Sequence, residues 1–441
     1  MTEGPRTVGM VTHRWWPSVG GIETHTRQLA RWLLGRGVRV EVLCLDEDPD
    51  AVPFSVVESD DGGVRQRRIA YRYQDHEGLA DLGCNERLEE LAGMWAIERE
   101  LELVHIHHLT GWGHGLVGVL AAHAPVVLTL HDHWMVCKRG QLWHVSGERC
   151  KGPSVERCAP CLAQTWPQLS ADSDDSEGVV ALMEGSAEAL ACASALLTPS
   201  EPARRVLVQA GVPKESLSVF EMGVEVEELA AEVGRLRAGS PRAEGRVVGV
   251  LGAVQPTKGV LELARAVLEC GVADIRLRIH GPLASFHGDT SYVDEVRALA
   301  EAHEEIEVCG PYDPAELPQV LASLDAVAAP SLWEECFGLS VREAAAVGIP
   351  VLVSDAGGLP ELVERDGAAG VVALREDPAG LVKALRWMDS TGSFGVVPSS
   401  ERVALVGIEE MGEELFEVYA GVLAQQDSQA SSSAAAEASQ E

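Results

Sequence analysis

The feature that most constrains this chain is an alternation of short apolar strands with helical segments that runs, lapses and then restarts. From Val8 the sequence reads as a strand (VGMVT), a loop carrying Gly20 and Gly21, a stretch with Leu29, Trp32 and Leu33 at helical spacing, and a second strand, VRVEVLCL. A strand-loop-helix-strand unit of that length suits a parallel crossover. Further strands are expected at residues 103–107, 126–130, 195–198 and 217–220. The rhythm lapses over 225–245, then resumes with VVGVLG, IRLRIHG, IEVCG, AVAA, PVLVSD and GVV, each followed by a helical segment. Strands alternating with helices predict an α/β protein built from two doubly wound parallel sheets. The 441 residues suffice for a core in each. The expected organisation is a first domain over 1–225, a linker over 226–245 and a second domain over 246–393. A terminal amphipathic helix follows within 394–424, with Met411, Leu415, Val418, Tyr419 and Val422 on one side, expected to pack back toward the first domain. The low-complexity stretch over 425–441 predicts disorder. Two such sheets predict a central cleft at the carboxyl ends of their strands, where ligands bind in open α/β sheets.

Charge narrows the partners. Sixty-eight acidic residues against 35 basic ones leave a formal net charge of −33, a field that repels nucleic acid and anionic lipid. Only five of the basic residues are lysines. The opening MTEGPRTVGMVTH has no basic segment leading into an apolar one, and the longest apolar stretch, residues 115–130, is interrupted by His123 and Pro125. A cytoplasmic protein without a transmembrane segment is expected, with peripheral membrane contact left open. Six of the ten cysteines are scattered singly among apolar segments, as reduced buried thiols are.

The densest chemical signal is SLWEECFGLSVREAAAVGIPVLVSDAGGLPELVERDGAAG, residues 331–370. Glu335 lies in a loop leaving a strand, Gly338 permits close backbone approach, and Ser340 is expected to open a helix with Glu343 in its first turn. Free amides at such a helix start hold anions, and flanking carboxylates accept hydrogen bonds from sugar or ribose hydroxyls. Ser340 and Glu343 also satisfy the S-x-x-E capping box, so Glu343 has a second, purely structural explanation.

Glu335, seven intervening residues and Glu343, followed by Gly348, Pro350, Gly357, Gly358, Pro360 and Glu361, resemble the donor-site region of the retaining glycosyltransferases of family 4, which have the GT-B fold of two Rossmann-like domains. The first half resembles that family in the same order: PSVGGIETHTRQLARWLLGRGVRVEVL, VHIHHLTG, VVLTLHDHW and TPSEPARRVLVQAGVPKESLSVFEMGVE. The resemblance implies a sugar transfer from a nucleoside-diphosphate sugar to an acceptor hydroxyl, in glycan, glycolipid or metabolite synthesis, with no cofactor and no catalytic metal. By similarity Glu335 would hold the donor sugar, Glu343 the ribose, the amides of Phe337, Gly338 and Leu339 the diphosphate, and Lys258 of QPTKGV the phosphates. His131 matches the family histidine beside the reacting sugar, Gly20 and Gly21 its N-domain loop, and Gly281 and Tyr312 segments near the base. Locally, Gly20 and Gly21 read equally well as a plain tight turn. Many relatives carry an arginine where this chain has Ala253, which leaves the phosphate clamp thinner. A non-catalytic sugar-nucleotide-binding subunit, or another GT-B enzyme such as an epimerase or phosphorylase, stays open.

Two further groups need an account. The histidines at 105, 107, 108, 131 and 133 invite a metal reading, but no carboxylate accompanies them at hydrolase-like spacing. The acidic runs DEDPD at Asp46 and DSDD at Asp172 read as solvated loops rather than as a metal-diphosphate motif. Cys137, Cys150, Cys158 and Cys161 are compatible with a structural zinc knuckle, an iron-sulfur cluster or four reduced thiols, so no metal ligands are assigned.

Overall fold

The computed structural model describes residues 4–18, 20–72, 75–170, 176–239, 246–395 and 403–438, with side chains described as far as residue 428. The chain divides into two units. The first takes its described residues from Met1–Gly140, Lys151–Met222 and Ile408–Glu441, and the second from Gln141–Cys150 and Gly223–Gly407.

The first unit runs β1 (Thr7–Val11), α1 (Gly21–Gly35), β2 (Arg39–Asp46), β3 (Val56–Asp61), β4 (Val64–Ala70), α2 (Glu86–Glu98), β5 (Leu103–Ile106), α3 (Gly115–Ala121), β6 (Val126–Thr129), α4 (Val155–Thr165), α5 (Ser176–Cys192), β7 (Ala195–Thr198), α6 (Glu201–Gln209) and β8 (Leu217–Val219). Its eight strands are ordered β3-β4-β2-β1-β5-β6-β7-β8, parallel except for β3, which runs antiparallel to β4. β1, β5 and β6 are wholly buried, which is why they read as unbroken apolar runs rather than alternating ones. Among the described strands, β3 and β4 escaped the sequence reading. Their loop is Gly62-Gly63, both at positive φ (64° and 98°), the left-handed geometry of a two-residue hairpin turn. The outer strand β3 is exposed and largely charged, which blunts an open sheet edge.

The second unit runs α7 (Glu227–Gly239), β9 (Arg246–Leu251), α8 (Val260–Glu269), β10 (Ile275–His280), α9 (Ser291–Ala302), β11 (Ile306–Gly310), α10 (Leu317–Ala322), β12 (Ala326–Ala329), α11 (Leu339–Ala346), β13 (Val351–Ser354), α12 (Leu359–Glu364), β14 (Gly370–Ala373) and α13 (Gly380–Ser390). The order β11-β10-β9-β12-β13-β14 is that of a doubly wound Rossmann-like sheet, all parallel. Val248, Val250, Leu277, Ile279, Ala326, Ala328 and Leu352 fill its core against α8 and α13.

The stretch expected to be a linker carries α7 instead. Leu229 and Val233, one turn apart, bury a narrow stripe in the second unit, too narrow to register as hydrophobic rhythm. Residues 240–245 of that stretch lie outside the described residues. The last helix, α14, spans Ile408–Ala438 and so continues through residues where composition predicts disorder; 439–441 lie outside the described residues. Its start at Ile408 lies within the expected 394–424, and its Met411, Leu415, Tyr419 and Val422 are buried as its spacing predicts. It lies on α1, where Trp32 Nε1 donates to Glu409 Oε2 at 2.7 Å and Trp32 meets Phe416 edge-on. Among the described residues no helix is long and apolar enough to cross a membrane.

Candidate functional site

The candidate residues form two sets, one in each unit, each at the place where its sheet reverses strand order. In the second unit that place lies between β9 and β12. The loop leaving β9 passes Ala253, half-buried after Gly252, and makes a single 3-10 turn, Pro256–Lys258, with Lys258 at its end. Gly259 then takes φ 66°, and a β-carbon there would lie 2.0 Å from the carbonyl oxygen of Pro330. Only glycine lets this turn press against the exit of β12, where the Leu332 amide donates to the carbonyl of Thr257 at 2.8 Å.

That contact brings Lys258 and Glu335 together although they are 77 residues apart: Nζ lies 2.7 Å from Oε2. The same oxygen accepts from Ser331 Oγ at 2.9 Å and Trp333 Nε1 at 3.1 Å. Glu335 is therefore a held carboxylate with one oxygen fully engaged. The anion opposite Lys258 in this structure is Glu335 itself, where the sequence reading placed a phosphate. Behind the loop, the Gly358 amide donates to the Glu335 carbonyl at 2.7 Å, and at Gly357 (φ 56°) a β-carbon would come within 2.1 Å of that carbonyl oxygen. Glu334 points to other partners: it accepts from the Gly357 amide at 2.9 Å, from Arg375 at 3.2 Å and from Arg149 at 3.1 Å. Arg375 also holds the carbonyl of Leu332 and both the carboxylate and the carbonyl of Asp355. The sequence reading missed Ser331, Trp333 and Arg375 as positioning groups; their partners become visible only once β12, β13 and β14 lie side by side.

Phe337, Gly338 and Leu339 lead into α11. The expected capping box between Ser340 and Glu343 does not form. Gly338 is the N-cap, at φ 81° and without a side-chain cap, which puts Ser340 inside the helix. Phe337 is buried beneath the Arg342 guanidinium at 4.0 Å, and Arg342 pairs with Asp366 at 3.0 Å. Glu343, freed from the capping role, is half-buried, and desolvation pushes its carboxyl up to about 7. It acts on Tyr312, whose phenol is raised first by burial and then by the charge of Glu343. Gly281 has a packing reason of its own, since a β-carbon there would lie 1.9 Å from the Gly252 carbonyl oxygen, and its amide donates to Gly310 at 2.8 Å.

In the first unit the order reverses between β1 and β5. Gly20 is the N-cap of α1 and Gly21 its first residue, in extended and helical backbone, with no side-chain cap. One turn further on, His25 points into the unit, where it meets His107, just past β5, and His131, just past β6. His107 Nδ1 lies 3.2 Å from His131 Nε2, and the ring of His25 is 5.2 Å from that of His131 and 5.7 Å from that of His107. Desolvation lowers all three pKa values, that of His25 to about 4, so the imidazoles are neutral. Of the other histidines put forward for a metal, His105 spends both nitrogens on Tyr419 and Thr129, each at 2.7 Å, and His108 spends its pair on Asp132 and the Thr110 amide. Burial alone would raise the Asp132 carboxyl, but His108 beside it prevails and holds it below its ordinary value. His25 was not foreseen, because nothing local to it signals a partnership with residues more than 80 positions away.

Cys158 and Cys161 lie one turn apart in α4 and Cys137 in the loop after β6, all in the first unit, while Cys150 belongs to the second. Asp46 ends β2, and residues 171–175, which contain the DSDD run, lie outside the described residues.

Comparisons with known proteins agree with this layout. The family model described as Glycosyltransferase Family 4 matches residues 19–228, and that described as Glycosyl transferases group 1 matches 245–389. A D-inositol 3-phosphate glycosyltransferase of Kineococcus radiotolerans is 31% identical over 76% of this chain and 73% of its own length. A phosphatidyl-myo-inositol mannosyltransferase of Mycobacterium leprae is 25% identical over 79% of this chain and 78% of its own. Among solved structures, the sucrose-phosphate synthase of Thermosynechococcus elongatus superposes with a TM-score of 0.63 at 17% identity, covering 98% of this chain and 100% of that one. Anabaena HepE in complex with UDP-glucose gives 0.59 at 18%, covering 97% and 99%. At such identities the likeness speaks for the fold alone.

Proposed function

This chain belongs to glycosyltransferase family 4 and has the GT-B fold, and from that premise we propose how its residues divide the work of moving a sugar from a nucleoside diphosphate to an acceptor hydroxyl. The non-catalytic and epimerase or phosphorylase readings are not favoured by these matches. Glu335 accepts from hydroxyls of the donor sugar. Lys258 and the uncapped amides at Phe337, Gly338 and Leu339 stabilise the departing diphosphate, where charge develops during transfer. Glu343 accepts from the ribose, with Tyr312 and Gly281 near the base. His131, Gly20 and Gly21 serve the first-unit side of the reaction, and chemistry proceeds without a cofactor or catalytic metal.

The observation that carries this reading is the Lys258–Glu335 contact at 2.7 Å, at the strand-order reversal of the second sheet. Neither charge stands alone before substrate arrives, so each side chain is held in place without the penalty of an isolated, partly desolvated ion. A donor meets the pair as a unit, since its sugar hydroxyls can donate to the carboxylate while its phosphates attract the ammonium.

The relatives named above act on D-inositol 3-phosphate and on phosphatidyl-myo-inositol, so the test includes polyol acceptors. Purified protein is incubated with UDP-, GDP- and ADP-linked hexoses, with and without inositol phosphates and with a chelator present, and nucleoside diphosphate release is measured. One donor is expected to turn over, faster with a matching acceptor, and Glu335→Ala is expected to abolish the reaction. Donor binding with no turnover under any condition, unchanged by Glu335→Ala, defeats the assignment.

A further inference from the structure

We propose that His25, His107 and His131 form a binding site for a divalent transition-metal ion of the zinc class, a site the transfer reaction itself does not call for. The three side chains come from α1 and from the exits of β5 and β6, neighbouring elements of the first sheet. One ligand atom from each lies within 4.8 Å of the others. The side chains are 92% buried or more, and in this structure four of their six ring nitrogens have no hydrogen-bond partner: both of His25, Nε2 of His107 and Nδ1 of His131. Buried polar atoms are rarely left unpaired, and a side chain with both ring nitrogens idle is more unusual still. The one bond inside the group, His107 Nδ1 to His131 Nε2 at 3.2 Å, spans a separation that a shared ion bridges as well as a shared proton does.

The donor set selects the ion. Three imidazoles without a carboxylate suit zinc, cobalt, nickel or copper, and disfavour magnesium and calcium, which require oxygen ligands. Imidazole nitrogens bind zinc at about 2.0–2.1 Å, so ligand atoms around one tetrahedral ion lie about 3.4 Å apart. Binding therefore has to draw the present 4.8 Å spread in to that separation. Three protein ligands leave a fourth position open, as in zinc sites that exchange a bound molecule. His105, its ring centroid 3.9 Å from that of His107 and tilted to it by 34°, is not a ligand because Tyr419 and Thr129 occupy both of its nitrogens.

The test reads metal directly and needs no donor or acceptor. The full-length protein, stripped with a chelator, is titrated with Co²⁺ and then Zn²⁺, alongside His25→Gln, His107→Gln and, as a control, His123→Gln, whose imidazole is exposed at the end of α3. Visible d–d absorption of a tetrahedral nitrogen-ligated cobalt is expected in the wild type and the control. Zinc should displace it, and in the other two variants the ion should bind about tenfold or more weakly. Cobalt held by the cysteines would announce itself by thiolate charge-transfer bands, unaffected by any of these substitutions. Equal uptake by the wild type and both cluster variants, or no d–d bands in the wild type, overturns the proposal and leaves a hydrogen-bonded imidazole pair. Should the variants fail to fold, ring-proton NMR of the wild type decides: zinc must shift three histidine signals together, and none shifting counts against the site.

Discussion

Glu343→Gln separates what this side chain does for the fold from what it does for the donor, because the two effects have opposite signs. Burial raises the Glu343 carboxyl from 4.5 to about 7. The folded state therefore holds this proton more tightly than the unfolded chain. The associated stability is complete below pH 4.5 and is lost as pH rises through about 7. At roughly 1.36 kcal/mol per unit, the charged carboxylate costs about 3 kcal/mol at pH 8.5 and about 1 kcal/mol at pH 5.5. Glutamine keeps the shape and removes the charge, so urea unfolding of the second unit should show the variant more stable by about those amounts. Donor binding should move the other way. Loss of a hydrogen bond to a charged acceptor costs about 1.5–3 kcal/mol, which is tenfold or more in affinity at pH 8.5. Wild-type affinity should itself fall roughly tenfold from pH 8 to pH 6, where only about a tenth of a group titrating near 7 is ionised, while the variant stays flat. Calorimetry with the donor that turns over measures both. A variant that is destabilised at pH 8.5, or that retains wild-type affinity and pH dependence, refutes the argument at its first or second step respectively.

Gly357→Ala adds a β-carbon 2.1 Å from the Glu335 carbonyl oxygen at a position with φ 56°, and should cost about 2 kcal/mol or more in urea unfolding while weakening donor binding through the displaced loop. Arg375→Met leaves Asp355 and Glu334 without their shared partner and should destabilise the second unit by about 1–3 kcal/mol; an unchanged unfolding midpoint would mean the clamp is ornamental. Ala253→Arg should tighten donor binding roughly tenfold at low salt by restoring a cation to the β9 loop, with the gain shrinking as salt is added; salt-independent affinity would place that loop away from the phosphates.

How far the sequence could be read depended on whether the signal was local. Strands buried on both faces are contiguous apolar words, as β1, β6 and β13 are, and of the thirteen described parallel strands all but β4 fell on segments read as strands. The β3–β4 hairpin was signalled by Asp61-Gly62-Gly63 between two polar-apolar stretches, but its charges look like loop composition until the edge position explains them. α7 hid because two buried residues suffice to dock it. In the second unit, resemblance to a family put forward Lys258, Glu335 and Glu343. Their relations were out of reach: spacing favoured a capping box that Gly338 pre-empts, and it gave no hint that Lys258 would close on Glu335. The histidines show the same limit. The sequence grouped His105, His107, His108, His131 and His133, whereas the fold gives His105 to Tyr419 and Thr129, and His107 to His131 and His25.

The bond between Tyr419 and His105 joins residues 314 positions apart, and it bears on how this protein is made. At about 5–20 residues per second, a ribosome leaves His105 waiting roughly 15–60 s for its partner. In that interval the whole second unit is synthesised and is free to fold, while the first stands with the face of α1 around Trp32 uncovered. The half of the enzyme that is translated first is thus completed last. A nascent chain stalled before Met411 would present a finished nucleotide-binding fold tethered to an unsealed one, the kind of surface that chaperones recognise and on which aggregation begins.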